Sequence, residues 1–341
     1  MKIEIKAITD RIKPLLQPEK SAVLFVHHNP DGDAIGSALG LYHYLVDKLK
    51  QVSVISPNNF PDFLKWMPAV EKVYFFDSQE EICRNLISKA DIAIYCDFND
   101  IKRIEKTGQS PLKDGAITIM IDHHPQPVEF TDFIISDTSV SSTAELVFEF
   151  IEALENGFPN NINLADCLLT GIITDTGLFN HNSESERTFE IVGKLLKAGA
   201  NKKYIIDKVY NEYPFNRMKL LGNALYKNLH FYPEYSTAFI ALSKKDLDEH
   251  NHKMGDTEGF VNMALSVAGA NFAGIFLEKN DHVKVSFRSR KDFDVNLFAR
   301  KHYNGGGHKN ASGGKSFASF NKTIDDFVLL LNQYKNELNQ S

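Results

Sequence analysis

Acidic and histidine side chains gather in five short segments of this 341-residue chain. The first is His27-His28-Asn29-Pro30-Asp31-Gly32-Asp33. Asp97 follows the apolar run Ile92 to Cys96, and Asp122-His123-His124 follows the run Ile117 to Ile121. Asp175 lies between Gly171 and Gly177, and His308 closes Gly305-Gly306-Gly307-His308. The first three segments each follow a strand-like run, which places oxygen and imidazole ligands at strand ends, the usual position of an α/β active site. His27, Asp31, Asp33, Asp97, His123 and Asp175 make a thiol-free nitrogen and oxygen set. Such a set suits Mn²⁺ better than a zinc-thiolate site, with Mg²⁺, Co²⁺ or Zn²⁺ as alternatives. Two ions roughly 3.5–4 Å apart can stabilise both the attacking and the leaving oxygen of a phosphate ester. Carboxylates crowded together without cations would repel one another and shift their pKa values. The expectation is metal-dependent phosphoester hydrolysis.

Each segment alone has a plainer reading. Asp31-Gly32-Asp33 is equally an ordinary turn, and a single Asp after a strand is commonly a cap or turn former. Asp122 reads as a carboxylate that orients His123 rather than as a ligand. Asp175 could be a helix-end turn residue, and Glu145 is mainly a cap. The segments persuade jointly, because the three early ones all fall at strand ends. Further on, Arg288 in Phe287-Arg288-Ser289-Arg290 could present a rigid fork to phosphate. Gly305, Gly306 and Gly307 permit close backbone approach to a ligand. Taken singly, Arg288 is a solvated strand end and the glycine run a structural loop.

The elements that must position these residues follow from periodicity. Strand candidates are Ala22 to Val26, Val52 to Ile55, Val73 to Phe76, Ile92 to Cys96, Ile117 to Ile121 and Phe133 to Ile135. Helix candidates Ala34 to Leu49 and Gln79 to Ser88 alternate with them. This rhythm predicts a mostly parallel sheet with helices on both faces. Ser142-Thr143-Ala144-Glu145 fits a capping box, with Ser142 as N-cap and Glu145 reaching back. Leu164 to Ile173 reads as a buried helix that delivers Asp175. A helical region spans Glu184 to Asn228, interrupted at Lys197 to Lys203 and at Tyr213-Pro214. A second, smaller α/β domain follows, with strands Thr237 to Leu242, Phe272 to Leu277 and Val283 to Phe287. Its helices are Thr257 to Ser266, Val295 to Lys301 and Ile324 to Tyr334. The expected organisation is a catalytic domain over 1–183, a helical connector over 184–231 and a substrate-binding domain over 232–341. A cleft between the two domains is the expected ligand site.

Composition narrows the class. The net charge of −6 argues against a general grip on long nucleic acid, though not against a local basic pocket for short nucleotides. No run of 18 apolar residues predicts a spanning helix. The charged start MKIEIKAITD does not read as a secretory signal. Cys83, Cys96 and Cys167 match no zinc spacing and no disulfide framework, and Cys96 and Cys167 read as core thiols. A reducing cytoplasm is the simplest location.

The ordered set HHNPDGDAIGS, CDFND, IDHHP, SSTAE and GIITDTG, followed by FRSR and GGGHKNASGG, resembles the DHH-family phosphoesterases over nearly the whole chain. Within that family it is similar to the two-domain group of bacterial oligoribonucleases and 3'-phosphoadenosine 5'-phosphate phosphatases. The resemblance implies two manganese positions. His27, Asp31, Asp97 and Asp175 would surround one, and Asp33, Asp97, His123 and Asp175 the other. His124 would sit beside the reacting phosphate with Asp97 and Asp122 in the catalytic machinery, and His28 would be a neighbour. Arg288, Ser289, Gly305, Gly306, Gly307, His308 and Lys309 would bind substrate, with Asn262 and Ser312 as weaker candidates. The implied substrates are short RNA oligonucleotides and adenosine 3',5'-bisphosphate, acting without a membrane. The linear dinucleotide from cyclic di-AMP and single-stranded DNA are rival substrates. Pyrophosphate hydrolysis is disfavoured by FRSR and GGGH, and a regulator without chemistry by the complete ligand set. Apolar helix faces would support a homodimer.

Overall fold

The computed structural model describes residues 2–340 and forms two compact units, one running to Glu212 and the other starting at Tyr213. The first contains α1 (Lys2–Ile12), β1 (Ser21–Phe25), α2 (Gly32–Leu45), β2 (Gln51–Ser56), β3 (Val73–Phe75), α3 (Glu80–Lys89) and β4 (Ile92–Cys96). It continues with β5 (Ile117–Asp122), β6 (Phe133–Ser136), α4 (Thr143–Glu155), α5 (Ile162–Asp175), α6 (Glu186–Lys197) and α7 (Lys202–Ile206). The strands form one parallel sheet in the order β3-β2-β1-β4-β5-β6. The chain winds outward from β1 to β3, then returns to lay β4 on the other side of β1. Strand order therefore reverses between β1 and β4, and the carboxyl end of that pair is where open α/β sheets bind ligands.

The strands are apolar on both faces because both are covered. Ala22 and Leu24 of β1 face a core shared with α2, α4 and α5, while Val23 and Phe25 face Cys83 and Ile87 of α3. Helices α2 and α5 meet backbone to backbone. A Cβ placed on Gly36 would lie 2.6 Å from the Cys167 carbonyl oxygen, and one on Gly171 would lie 2.8 Å from Asp33 Oδ1. That approach brings the amino end of α2 to the carboxyl end of α5. The expected helix 34–49 starts earlier, at Gly32, because the Asp31 side chain caps it, accepting from the N–H groups of Asp33 and Ala34. The capping box at α4 needs correction. Ser142 does accept from the Glu145 N–H, but the Glu145 carboxylate reaches one residue further, to the N–H and hydroxyl of Ser141. Ser141 offers that carboxylate two donors.

The second unit contains α8 (Phe215–Lys227), β7 (Leu229–Tyr232), β8 (Thr237–Leu242), α9 (Lys244–Glu249), α10 (Phe260–Leu265), β9 (Phe272–Glu278) and β10 (Val283–Ser289). After these come α11 (Val295–His302), β11 (Gly306–His308), β12 (Ala311–Ser316), α12 (Phe320–Gln333) and α13 (Lys335–Gln340). Its sheet is mixed, in the order β11-β12-β10-β9-β8-β7, with β8 and β9 parallel and the other pairs antiparallel. Phe239, Phe272, Phe276, Phe287, Phe298 and Phe327 fill the core on one face. The glycine run enters the hairpin β11–β12 at Gly306 instead of forming a loop. Just before β11 the backbone runs so close to β12 that a Cβ on Gly305 would stand 1.9 Å from the Gly313 carbonyl oxygen. Among the described residues, no helix is long and apolar enough to cross a membrane.

Candidate metal centre

Five structural elements deliver acidic and histidine side chains to the carboxyl edge of the first sheet. His27 stands two residues beyond β1, and Asp31 caps α2 while Asp33 lies in its first turn. Asp97 follows β4 directly, Asp122 ends β5, and Asp175 ends α5. Asp97 holds a left-handed backbone with φ 66°, a conformation in which Asp is more at ease than most residues. Its N–H donates to the Ile121 carbonyl, which ties it to the end of β5.

The donor atoms converge in two groups. His27, Asp31 and Asp97 form one, and Asp33, His123 and Asp175 the other, with the donor atoms of each group within 4.8 Å of one another. His27 Nε2 lies 3.5 Å from Asp97 Oδ2. His123 Nε2 lies 3.7 Å from Asp97 Oδ1, 3.9 Å from Asp33 Oδ2 and 3.6 Å from Asp175 Oδ2. The two oxygens of Asp97 thus face different groups. These separations exceed a good hydrogen bond. They are what ligands about 2.0–2.2 Å from one shared ion leave between themselves.

Charge points the same way. Asp33 and Asp97 are only 1% and 2% exposed, and among the described residues their ion-pair partners are histidines alone. Burial, and next the charge of Asp97, push the Asp33 carboxyl up to about 8. Two carboxylates so arranged resist ionising together, and a dication between them would let both ionise. Burial would lower the His27 imidazole, but the Asp97 carboxylate 3.5 Å away and the charge of Asp31 outweigh that and raise it. Oxygen and imidazole donors in this number fit a divalent ion.

Asp122 is fully buried and orients His124, not His123. Its Oδ1 lies 2.7 Å from His124 Nδ1, and its Oδ2 accepts from the His124 N–H at 2.9 Å. An Asx-type turn reaches the backbone two residues on, so residue 124 is the one it captures. Burial opposes ionisation of Asp122, yet the His124 hydrogen bond and charge overcome this and lower its pKa. His28 lies beside the site with its N–H on the Arg103 carbonyl.

In the second unit, Arg288 pairs with Ala311 across β10–β12, and His308 pairs with Ala311 from the other side. Arg288 and His308 therefore share one face of the sheet, one strand apart. Ser289, Ser312 and Lys309 hold partners within the second unit. The buried Ser289 donates to the Phe293 carbonyl and accepts from Asn310 Nδ2. Ser312 donates to the Val295 carbonyl, and Lys309 pairs with Asp292 on the surface. Asn262, on α10, keeps a buried amide oxygen without a hydrogen-bond partner among the described residues. Gly307 has φ 145° and donates its N–H to Asn296 Oδ1.

Sequence reasoning read the first turn of α4 only as a helix cap. There Thr143 and Ala144 donate backbone N–H groups to Asp33, and the Thr143 hydroxyl donates to Asp97. Their place in an apparent helix cap explained their residue types locally and hid these long-range bonds.

Comparison with known proteins agrees with this geometry. Residues 21–172 match the DHH family, N-terminal domain, and residues 235–337 match the DHHA1 domain. The chain is 30% identical over 289 residues to a bifunctional oligoribonuclease and PAP phosphatase NrnA of Thermus thermophilus, covering 84% of this chain and 81% of that protein. It is 28% identical over 297 residues to the Bacillus subtilis protein of the same name, covering 87% and 89%. A solved structure of an exopolyphosphatase-related protein from Bacteroides fragilis superposes with a TM-score of 0.90 at 38% identity, covering 98% of each chain. With both domain matches in order and relatives along most of its length, the chain belongs to the DHH family, as a DHH domain followed by a DHHA1 domain.

Proposed function

We propose that this chain is a manganese-dependent phosphoesterase that hydrolyses short RNA oligonucleotides to mononucleotides and removes the 3'-phosphate of adenosine 3',5'-bisphosphate. The observation that carries the reading is the convergence of His27, Asp31, Asp33, Asp97, His123 and Asp175 at the reversal between β1 and β4. The names of the relatives from Thermus thermophilus and Bacillus subtilis support the substrate class.

Divalent ions, when bound, would supply Lewis acidity and ease the ionisation of water. His27, Asp31 and Asp97 would hold one position, and Asp33, His123 and Asp175 the other, with Asp97 serving both. His124 is held through Nδ1 by Asp122, and the ring so oriented would meet a phosphate oxygen. Burial would lower the His124 pKa, but the Asp122 hydrogen bond raises it overall, so the ring is suited to donating a proton. Arg288 and His308, sharing a sheet face, would grip the terminal phosphate and favour short substrates. Residues 1–183 would then carry the chemistry and 232–341 the selection, with 184–231 between them.

The test is product formation with Mn²⁺ from a matched panel. It comprises adenosine 3',5'-bisphosphate, 5'-phosphorylated RNA of two, three and five nucleotides, and a 24-nucleotide RNA. Fast turnover of the short members and of the bisphosphate is expected, with loss of both on chelation. Equal turnover of the 24-nucleotide RNA would overturn the short-substrate reading.

A further inference from the structure

We propose that Thr143 is a positioning residue for the metal centre, orienting the carboxylates of Asp33 and Asp97 through its N–H and its hydroxyl. The inference rests on the reading of that centre as a divalent-ion site. Thr143 is fully buried at the start of α4. Its hydroxyl donates to Asp97 Oδ1 at 2.8 Å, and its N–H donates to Asp33 Oδ2 at 2.6 Å. The next N–H, of Ala144, donates to Asp33 Oδ1 at 2.9 Å, and the Ser37 hydroxyl reaches the same oxygen at 3.4 Å.

Helix ends leave their first N–H groups without partners inside the helix. At α4 the side chain of Ser142 satisfies the Glu145 N–H, and Asp33, from a helix 110 residues earlier, satisfies Thr143 and Ala144. Both oxygens of Asp33 are thereby fixed in plane, with Oδ2 still facing His123. Asp97 has its backbone set by φ 66°, but the backbone does not set the rotation of its carboxylate. The Thr143 hydroxyl does, by holding Oδ1 on the His123 side and leaving Oδ2 toward His27. The turn that presents Thr143 is itself secured. Glu145, buried, accepts from the N–H and hydroxyl of Ser141 and from the hydroxyl of Thr188 on α6. Partners that orient ligands in this way commonly govern metal affinity.

The test is calorimetric titration of the chelator-stripped full chain with Mn²⁺, with melting in chelator as the second readout. Thr143→Val removes the hydroxyl at nearly constant volume, Thr143→Ala removes it without a branched substitute, and Thr143→Ser keeps it. Val and Ala are expected to weaken Mn²⁺ binding by about 10- to 100-fold. Ser is expected to bind as the wild type does. If the Val chain does not fold, the Ala chain carries the comparison. Unchanged Mn²⁺ affinity in Val and Ala, with only a lower metal-free melting temperature, would show a merely structural role and overturn the proposal. Failure of Ser to restore binding would overturn it as well. A wild-type chain that binds no divalent ion would remove the metal reading itself, an outcome distinct from the others.

Discussion

Asp97 shows how much one residue is asked to do. Its left-handed backbone turns the chain at the end of β4, and its two oxygens face different ligand groups. Asn also tolerates that backbone, so Asp97→Asn removes the charge while sparing the turn. Its turnover with Mn²⁺ should fall by at least about 100-fold, the upper end of what a change outside the ligand set costs, while its circular dichroism matches the wild type. Near-normal turnover in excess Mn²⁺ would show that Asp97 is no ligand. Asp122→Asn should lower kcat about 10- to 100-fold through loss of His124 orientation, toward the lower range of acid–base contributions. Mn²⁺ affinity should change far less. The ligand types were legible in the sequence because acids and histidines at three strand ends have no common structural use. The choice of His124 over His123 by Asp122, and the grip of Thr143 on Asp33, were not. Each depends on a direction or on a partner 110 residues away that spacing does not encode.

At the scale of elements, the close packing of α2 on α5 sets the distance between Asp33 and Asp175. Gly36→Ala places a methyl against the Cys167 carbonyl and the Gly171 N–H, backbone atoms that cannot turn aside. Overpacking of this kind costs about 1–3 kcal/mol. Denaturant unfolding should show that loss, together with weaker Mn²⁺ binding as the two helices part. At the opposite edge of the sheet, Asp91 ties β1 to β4. It accepts from Lys113 and from the N–H and hydroxyl of Ser21, and these hold its carboxyl down at about 2. A carboxyl lowered on folding stabilises above the unfolded value, about 3.9, and that contribution fades as pH falls toward 2. Asp91→Asn should therefore cost about 1–2 kcal/mol at pH 7. The gap should narrow steadily between pH 4 and pH 2 in denaturant titrations at each pH. Strands and helices of the first unit could be read from alternation because each strand is flanked by turn residues and covered on both faces. The hairpin β11–β12 could not, because glycine carries no strand preference and only the close approach of Gly305 to Gly313 explains it.

For the whole molecule, two units with separate sheets and cores should respond separately to the ion. The single tryptophan, Trp66, lies in the first unit against Tyr204. Its emission should report a transition that rises with Mn²⁺, by about 2.7 kcal/mol of stability when the ion is at 100 times its Kd. A tryptophan transition indifferent to Mn²⁺ would contradict a metal centre in that unit. The glycines that let α2 lie against α5 also bear on how the chain matures as it is made. Gly36 and Gly40 inside a 14-residue helix each cost about 1 kcal/mol relative to Ala, and a helix of that length is marginal alone in water. During synthesis, a chain that has emerged only through β5 displays three of the ligand segments, but the helix carrying Asp33 still lacks its support. That helix should become ordered only when α5 emerges, so ion capture waits for Asp175. Pulse-labelled hydrogen exchange should then show α2 amides gaining protection together with those of α5, later than the strands between them.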